Sequence, residues 1–222
     1  MTMRATPPFA ASILLFFLLI ASHSPISAQT HKTMEIVELA TNATTIVRGE
    51  IKEVKGSNLV LSVEYCLIGD VGSEVTVKRF KNTKVAKRWG KYEAGQKLLL
   101  FLQGEPGAWK IMGINGEGEK YVLGDDVLLD GRGGGVKNRY SYINLTGGRI
   151  YAEKVPLDEF EEAVKGLRKN FKVTYDAVED VTGETYLYPR ASVLIDEKEL
   201  DEFKYTTETT LSLVEKSMKL VK

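Results

Sequence analysis

From residue 78 to residue 91 the chain reads Lys-Arg-Phe-Lys-Asn-Thr-Lys-Val-Ala-Lys-Arg-Trp-Gly-Lys, with seven basic residues in 14, no acidic one, and Phe80 and Trp89 interleaved. These two kinds of side chain act together on one class of ligand. Lys and Arg neutralise phosphates, sulfates or uronates, while aromatic faces stack on sugar rings or bases. The stretch marks Lys78, Arg79, Lys81, Lys84, Lys87, Arg88, Trp89 and Lys91 as candidate polyanion ligands. The expected partner is an acidic glycan, a cell-wall polymer or an anionic membrane surface. The competing reading is a solvated connector whose Trp89 and Val85 dock on the body of the protein.

Outside this stretch the charge is balanced, 30 Lys and Arg against 30 Asp and Glu, so global charge indicates no specific nucleic acid. Other chemistries find few residues to work with. The chain has two histidines, His23 and His31, and one cysteine, Cys66. A Ser-His-Asp or Cys-His mechanism needs a positioned base, which His31 in a polar terminal stretch is poorly placed to supply. Zinc needs several His or Cys ligands. For calcium the one loop-like group is Asp125-Asp126 with Asp130, which lacks EF-hand spacing. The run Gly131-Arg132-Gly133-Gly134-Gly135 lacks both the third glycine of a dinucleotide fingerprint and a Walker ending. No metal or cofactor is expected. Glycan hydrolysis needs only two carboxylates and is the alternative from another class. The densest acids, however, Glu159, Glu161, Glu162 and residues 196–202, fall on outer helical faces. Two triplets, Asn42-Ala43-Thr44 and Asn144-Leu145-Thr146, fit the N-glycosylation pattern should the source be eukaryotic.

The N-terminus sets the expected address. Arg4 precedes the apolar run 9–21, and Ile26-Ser27-Ala28 follows, the pattern of a cleavable export signal over residues 1–28. A run this short falls below the ~20 residues of a transmembrane helix. The mature chain from Gln29 is expected to be secreted, periplasmic or at the cell surface, with no transmembrane segment. It keeps 194 of the 222 residues and 29 basic against 30 acidic side chains, since Arg4 is the one charged residue removed. A single thiol in an exported chain cannot make an internal disulfide. Cys66, in the strand-like Val63-Glu64-Tyr65-Cys66-Leu67-Ile68, reads as a small buried hydrophobe or as a thiol that pairs with a partner.

Periodicity supplies the elements that position these residues. A short helix is predicted over 34–40, then β-branched strands over 45–54 and 59–66 around a Lys55-Gly56-Ser57-Asn58 turn. Further strands are expected at 74–78, 97–103 and 108–114, with short ones at 121–123 and 127–129. Leu98-Leu99-Leu100-Phe101-Leu102 has no polar alternation and so predicts burial on both faces. The glycine run and the polar segment up to Gly147-Gly148 read as an exposed loop, closed by a strand at 149–155. After Pro156, the spacing of Leu157, Phe160, Val164, Leu167 and Phe171 gives an amphipathic helix. Short β-like pieces (172–175, 185–188, 191–195) follow. A helix capped by Asp196, with Glu199 three residues on, comes next, and a last helix uses Leu211, Val214, Met218 and Val221.

Five pieces carry a resemblance: Val47-Arg48-Gly49-Glu50-Ile51, Leu67-Ile68-Gly69, residues 95–102, residues 109–113, and Val155-Pro156-Leu157 with Phe160. In this order they resemble a loosely defined group of uncharacterised exported proteins with a small OB-like β-barrel. That resemblance implies a mainly β (α+β) fold: an OB-like antiparallel barrel over 29–155 with a short N-terminal helix, then a helix-rich C-terminal extension over 156–222. It supplies no activity. The expectation is a non-catalytic binding or accessory module; docking or self-association through residues 156–222 is a further alternative.

Overall fold

The computed structural model describes residues 33–82, 88–114, 116–130, 140–179 and 185–221. The expected export signal over residues 1–28, His31, Lys84, Lys87 and the glycine run 131–135 lie outside the described residues.

The β-branched segment Thr45–Lys55 forms β1 and returns as β2, Asn58–Ile68. With β3 (Glu74–Lys78), β4 (Lys97–Gln103) and β5 (Trp109–Ile111) these strands close a five-stranded barrel. Neighbours run β1-β2-β3-β5-β4, and β4 pairs back onto β1. Every pairing is antiparallel except that of β3 with β5, which is parallel at Val77 with Trp109 and Lys78 with Lys110. The fold is therefore mainly β, as expected. The predicted strand over 108–114 shrinks to three residues, of which Trp109 and Lys110 pair with β3 and Lys110 and Ile111 with β4.

The apolar run of β4 is buried on both faces. Leu98, Leu100 and Leu102 join Val47, Ile51, Leu59 and Leu61 in one cluster, while Leu99 and Phe101 join a second. Beyond β4, β6 (Glu119–Leu123) continues the sheet through β7 (Asp126–Asp130) and β9 (Gly148–Pro156) to the edge strand β8, Ser141–Leu145. β8 replaces part of the predicted loop. Its outward side chains are polar or aromatic, so the hydrophobic signal of a strand is weak there.

The second cluster is covered by helices. α1 (Ile36–Asn42) is held at its start by a reciprocal Glu35–Glu38 capping box. α2, Leu157–Asn170, buries Phe160, Val164 and Leu167. Its Arg168 donates to the Ala40 and Ala43 carbonyls at 3.0 and 2.7 Å, satisfying acceptors that the C-terminus of α1 leaves open. α3 (Glu197–Lys204) starts on the predicted cap, Asp196 accepting from the Glu199 amide at 2.9 Å. α4 (Glu208–Met218) buries Leu213 and Val214.

Two details of the C-terminal region differ from expectation. Phe171 opens β10 (Phe171–Glu179) instead of ending α2, and β10 pairs along its length with β11, Thr185–Val193. The extension thus carries a nine-pair hairpin besides its helices. Residues 174–179 of β10 are exposed on both faces, so no alternation marks the strand in the sequence. Val221 lies beyond α4 and bridges Ala191. No helix among the described residues is long and apolar enough to cross a membrane.

Gly49 gives a direct test of barrel closure. It sits where β1 shifts register against β2 while also pairing with β4, and a Cβ there would collide with the Ser62 carbonyl oxygen. Gly49→Ala is expected to cost about 1–3 kcal/mol, read as a lower urea midpoint. An unchanged midpoint would show that β1 and β2 can separate freely at this bulge.

Candidate functional site

The basic stretch begins at the end of β3 and runs as a connector to the start of β4, so the barrel fixes both its ends. The Arg88 amide donates to Asn82 Oδ1 at 2.8 Å, tying the two described halves of the connector together. Where the connector approaches the β8–β9 turn, Gly90 bridges Gly148 and the Lys91 amide donates to the Gly147 carbonyl at 3.3 Å. A Cβ at Gly90 would lie 2.5 Å from the Gly147 oxygen, and one at Gly148 would lie 2.6 Å from the Trp89 oxygen. Only glycines allow backbone to lie on backbone this closely.

Arg88 departs from its expected role as a ligand contact. It is 8% exposed, and its guanidinium makes four hydrogen bonds inside the protein. Nε donates to Glu119 Oε1 at 2.6 Å, Nη1 to the Gly90 and Lys91 carbonyls at 2.9 and 2.8 Å, and Nη2 to Gln96 Oε1 at 3.0 Å. Its Cζ lies 3.7 Å from the Trp89 ring centre and 3.8 Å from that of Tyr92. A buried charge persists only when paired and hydrogen-bonded in this way. Arg88 is therefore a structural hub, with its guanidinium nitrogens bonded inside the protein at the border of an open cleft. Trp89 is half-buried, covered by Arg88 and edge-on to Tyr121 at 5.0 Å, which matches the docking role weighed for it rather than the stacking one.

Glu119 is shared. Its second oxygen accepts from the Tyr92 hydroxyl at 2.5 Å, and that hydroxyl in turn accepts from the Phe80 amide at 3.2 Å. Burial, and then the Glu119 carboxylate, push the Tyr92 phenol far above its ordinary value. Gln96 completes the hub by donating to the Lys91 and Thr146 carbonyls, both at 2.9 Å.

Around this hub lies an open cleft of about 580 Å³. Arg79, Lys81 and Lys91 line it as exposed cations, with Phe80, Asn82, Tyr92, Gly90 and Gly147 between them and Arg88 at its border. No carboxylate is among the described residues lining it. Lys78 is exposed on β3 but is not part of the lining.

A second exposed surface rises from the same hairpin. Tyr142 of β8 and Tyr151 of β9 are cross-strand partners, 68% and 53% exposed, with ring centres 4.8 Å apart. Tyr140 stacks on Tyr151 at 5.5 Å, and the Arg149 guanidinium lies 4.5 Å from the Tyr142 ring. Sequence reading missed this ladder. Its signal was the spacing of two in Tyr140-Ser141-Tyr142 and Arg149-Ile150-Tyr151 on either side of Gly147-Gly148. It also missed Tyr92, Gln96 and Glu119, which only the tertiary fold brings to Arg88.

The remaining candidates lie apart. Asn144 is exposed on β8, opposite Arg149. Asn42 ends α1, half-buried beside a separate cavity of about 470 Å³, with its amide 3.5 Å from the Tyr175 hydroxyl. Cys66 is half-buried, its thiol 3.3 Å from the Ile68 carbonyl and raised in pKa by burial. Asp126 faces Lys154 at 3.3 Å, and no group of three metal-ligating side chains occurs among the described residues. The chain matches no protein-family model, no curated protein and no solved structure.

Two measurements test the hub. Arg88→Ala strands the buried Glu119 charge and is expected to cost about 3–5 kcal/mol in urea unfolding, whereas Lys81→Gln should stay within about 0.5 kcal/mol of the parent. Tyr92 has a folded pKa above its unfolded value near 10. Its contribution to stability is complete below about pH 10 and is lost as pH rises beyond it, by up to ~1.4 kcal/mol per pH unit. Unfolding series from pH 8 to 11.5 should therefore show a shallower alkaline loss for Tyr92→Phe than for the parent.

Proposed function

We propose that the protein is a non-catalytic binding or accessory module, exported by its N-terminal signal to the cell surface or periplasm, that holds a polyanionic ligand in the basic cleft. The observation carrying this reading is the cleft itself: three exposed cations, Arg79, Lys81 and Lys91, around an aromatic and amide floor with no carboxylate among its described lining. Such a surface favours a ligand with repeated negative charge.

The barrel supports the finer reading of an OB-like module. Its strand order β1-β2-β3-β5-β4-β1, with β3 and β5 parallel, suits a five-stranded Greek-key barrel, a fold that binds oligomeric ligands over its strands and loops. The cleft lies on the connector between β3 and β4. Of the five buried glutamates described, Glu119 and Glu161 are each held by an arginine at 2.6 Å, which favours a structural use of these two.

The triple variant Arg79→Gln, Lys81→Gln, Lys91→Gln changes only exposed side chains and should fold as the parent does. It is expected to elute from a heparin-like resin at clearly lower salt, with a salt dependence flattened by about one ion per contact removed. Elution at the same salt would sink the reading.

A further inference from the structure

A polyanion longer than the basic cleft continues onto a neighbouring surface, and the tyrosine ladder adjoins the cleft through the β8–β9 turn. The β8–β9 turn forms part of the cleft wall at Gly147, and Gly148 bridges Gly90 of the connector. From Gly148 the chain runs outward through Arg149 to Tyr151, three residues or roughly 10 Å at ~3.3 Å per residue. Arg149 is thus the cation between cleft and ladder, and it is exposed with its guanidinium over Tyr142.

Resting on the polyanion reading of the cleft, we infer that the ligand is an acidic glycan, whose sugar rings pack along the Tyr140–Tyr151–Tyr142 ladder while its carboxylates or sulfates meet Arg149 and the cleft cations. The chemistry of the ladder selects this class. Tyr140, Tyr151 and Tyr142 already contact one another at 5.5 and 4.8 Å, which leaves no slot between them for an intercalated base. What they offer outward is aromatic C–H and face surface beside phenolic hydroxyls, matching the alternating C–H patches and hydroxyls of a sugar ring. An anionic membrane surface could meet the same cations, but firm seating on it also draws on buried apolar area. Among the neighbours of the ladder, Ile150 and Ala152 are buried and Ile143 and Leu145 are half-buried, all on the opposite face.

Affinities of the purified protein for polygalacturonate, inorganic polyphosphate and phosphatidylglycerol vesicles test this. Tyr142→Ser and Tyr151→Ser are each expected to weaken polygalacturonate binding about tenfold and leave polyphosphate binding unchanged, since polyphosphate has charge but no rings. Tyr142→Phe, which keeps the ring, should stay close to the parent. A readout that needs no variant is nitration of the unaltered protein by tetranitromethane: polygalacturonate should slow modification of Tyr142 and Tyr151, and polyphosphate should not. Equal protection by both polymers, no protection by polygalacturonate, or tighter binding to vesicles would overturn the glycan assignment. If polyphosphate binds and polygalacturonate does not, the cleft reading stands and the ladder inference falls. If neither polymer binds, the cleft reading itself falls and takes the inference with it.

Discussion

The structure depends on β4 having no solvent side. Leu98, Leu99, Leu100, Phe101 and Leu102 are all fully buried. One edge of the strand is taken by β1, and the other is divided between β6 and β5. A strand enclosed on both faces and both edges must be continuously apolar, and its side chains then split between two cores by parity. The even residues fill the cluster shared with Val47, Ile51, Leu59 and Leu61, and the odd ones face the helices. The same enclosure places the candidate site. The connector enters this enclosed strand through Gln96, whose fully buried amide bonds the Lys91 and Thr146 carbonyls. The cleft therefore stands at the entrance to a strand buried on both faces.

Charge count alone does not describe the basic stretch, because one of its cations faces inward. Arg88 suits that position for reasons a lysine would not meet. A planar guanidinium reaches Glu119, Gln96 and two carbonyls at once and still presents flat faces to Trp89 and Tyr92, whereas an ammonium is a point charge. Glu119 opens β6, which pairs with β4, so the ion pair ties an otherwise irregular connector to the sheet. The cleft cations Arg79, Lys81 and Lys91 are then carried on backbone tied by these bonds and by those of Phe80 and Asn82. Ordering before binding lowers the entropy lost when a ligand arrives.

How much of this could be read from the chain varies with the range of the interaction. β1 to β4, α2 and the Asp196 cap follow from local period and local hydrogen bonding, and they fall where residue types predict them. β5 pairs for two residues with β4, its neighbour across a short turn, and for two with β3, about 30 residues back, and that second partner is not visible in local period. β10 lacks alternation beyond Val173 because residues 174–179 have no buried face to mark. At the site, the connector, its cations and its aromatic residues were legible as composition. The inward turn of Arg88 was not, since an arginine among lysines looks alike whether it faces solvent or a carboxylate 31 residues away. Cys66, for which burial was one of two readings, is half-buried and packs against the cluster around Leu59 and Leu61.

The contact between Gly90 and Gly148 links these observations into one surface. A side chain at either position would have to occupy space held by the opposite backbone, at 2.5 and 2.6 Å from a carbonyl oxygen. Larger residues would thus part the connector from the hairpin, and with it the basic cleft from the tyrosine ladder. With two glycines in contact, the outward face of β8–β9 continues into the cleft wall without a ridge of side chains between them. The ladder needs this support as well, because β8 is an edge strand of five residues that pairs, among the described residues, with β9 alone. Short edge hairpins are marginal without packing at one end, and here the packing comes from the connector through Gln96, Gly90 and Lys91. The buried hub therefore holds two exposed surfaces in one relative position, though its own central charge never reaches solvent.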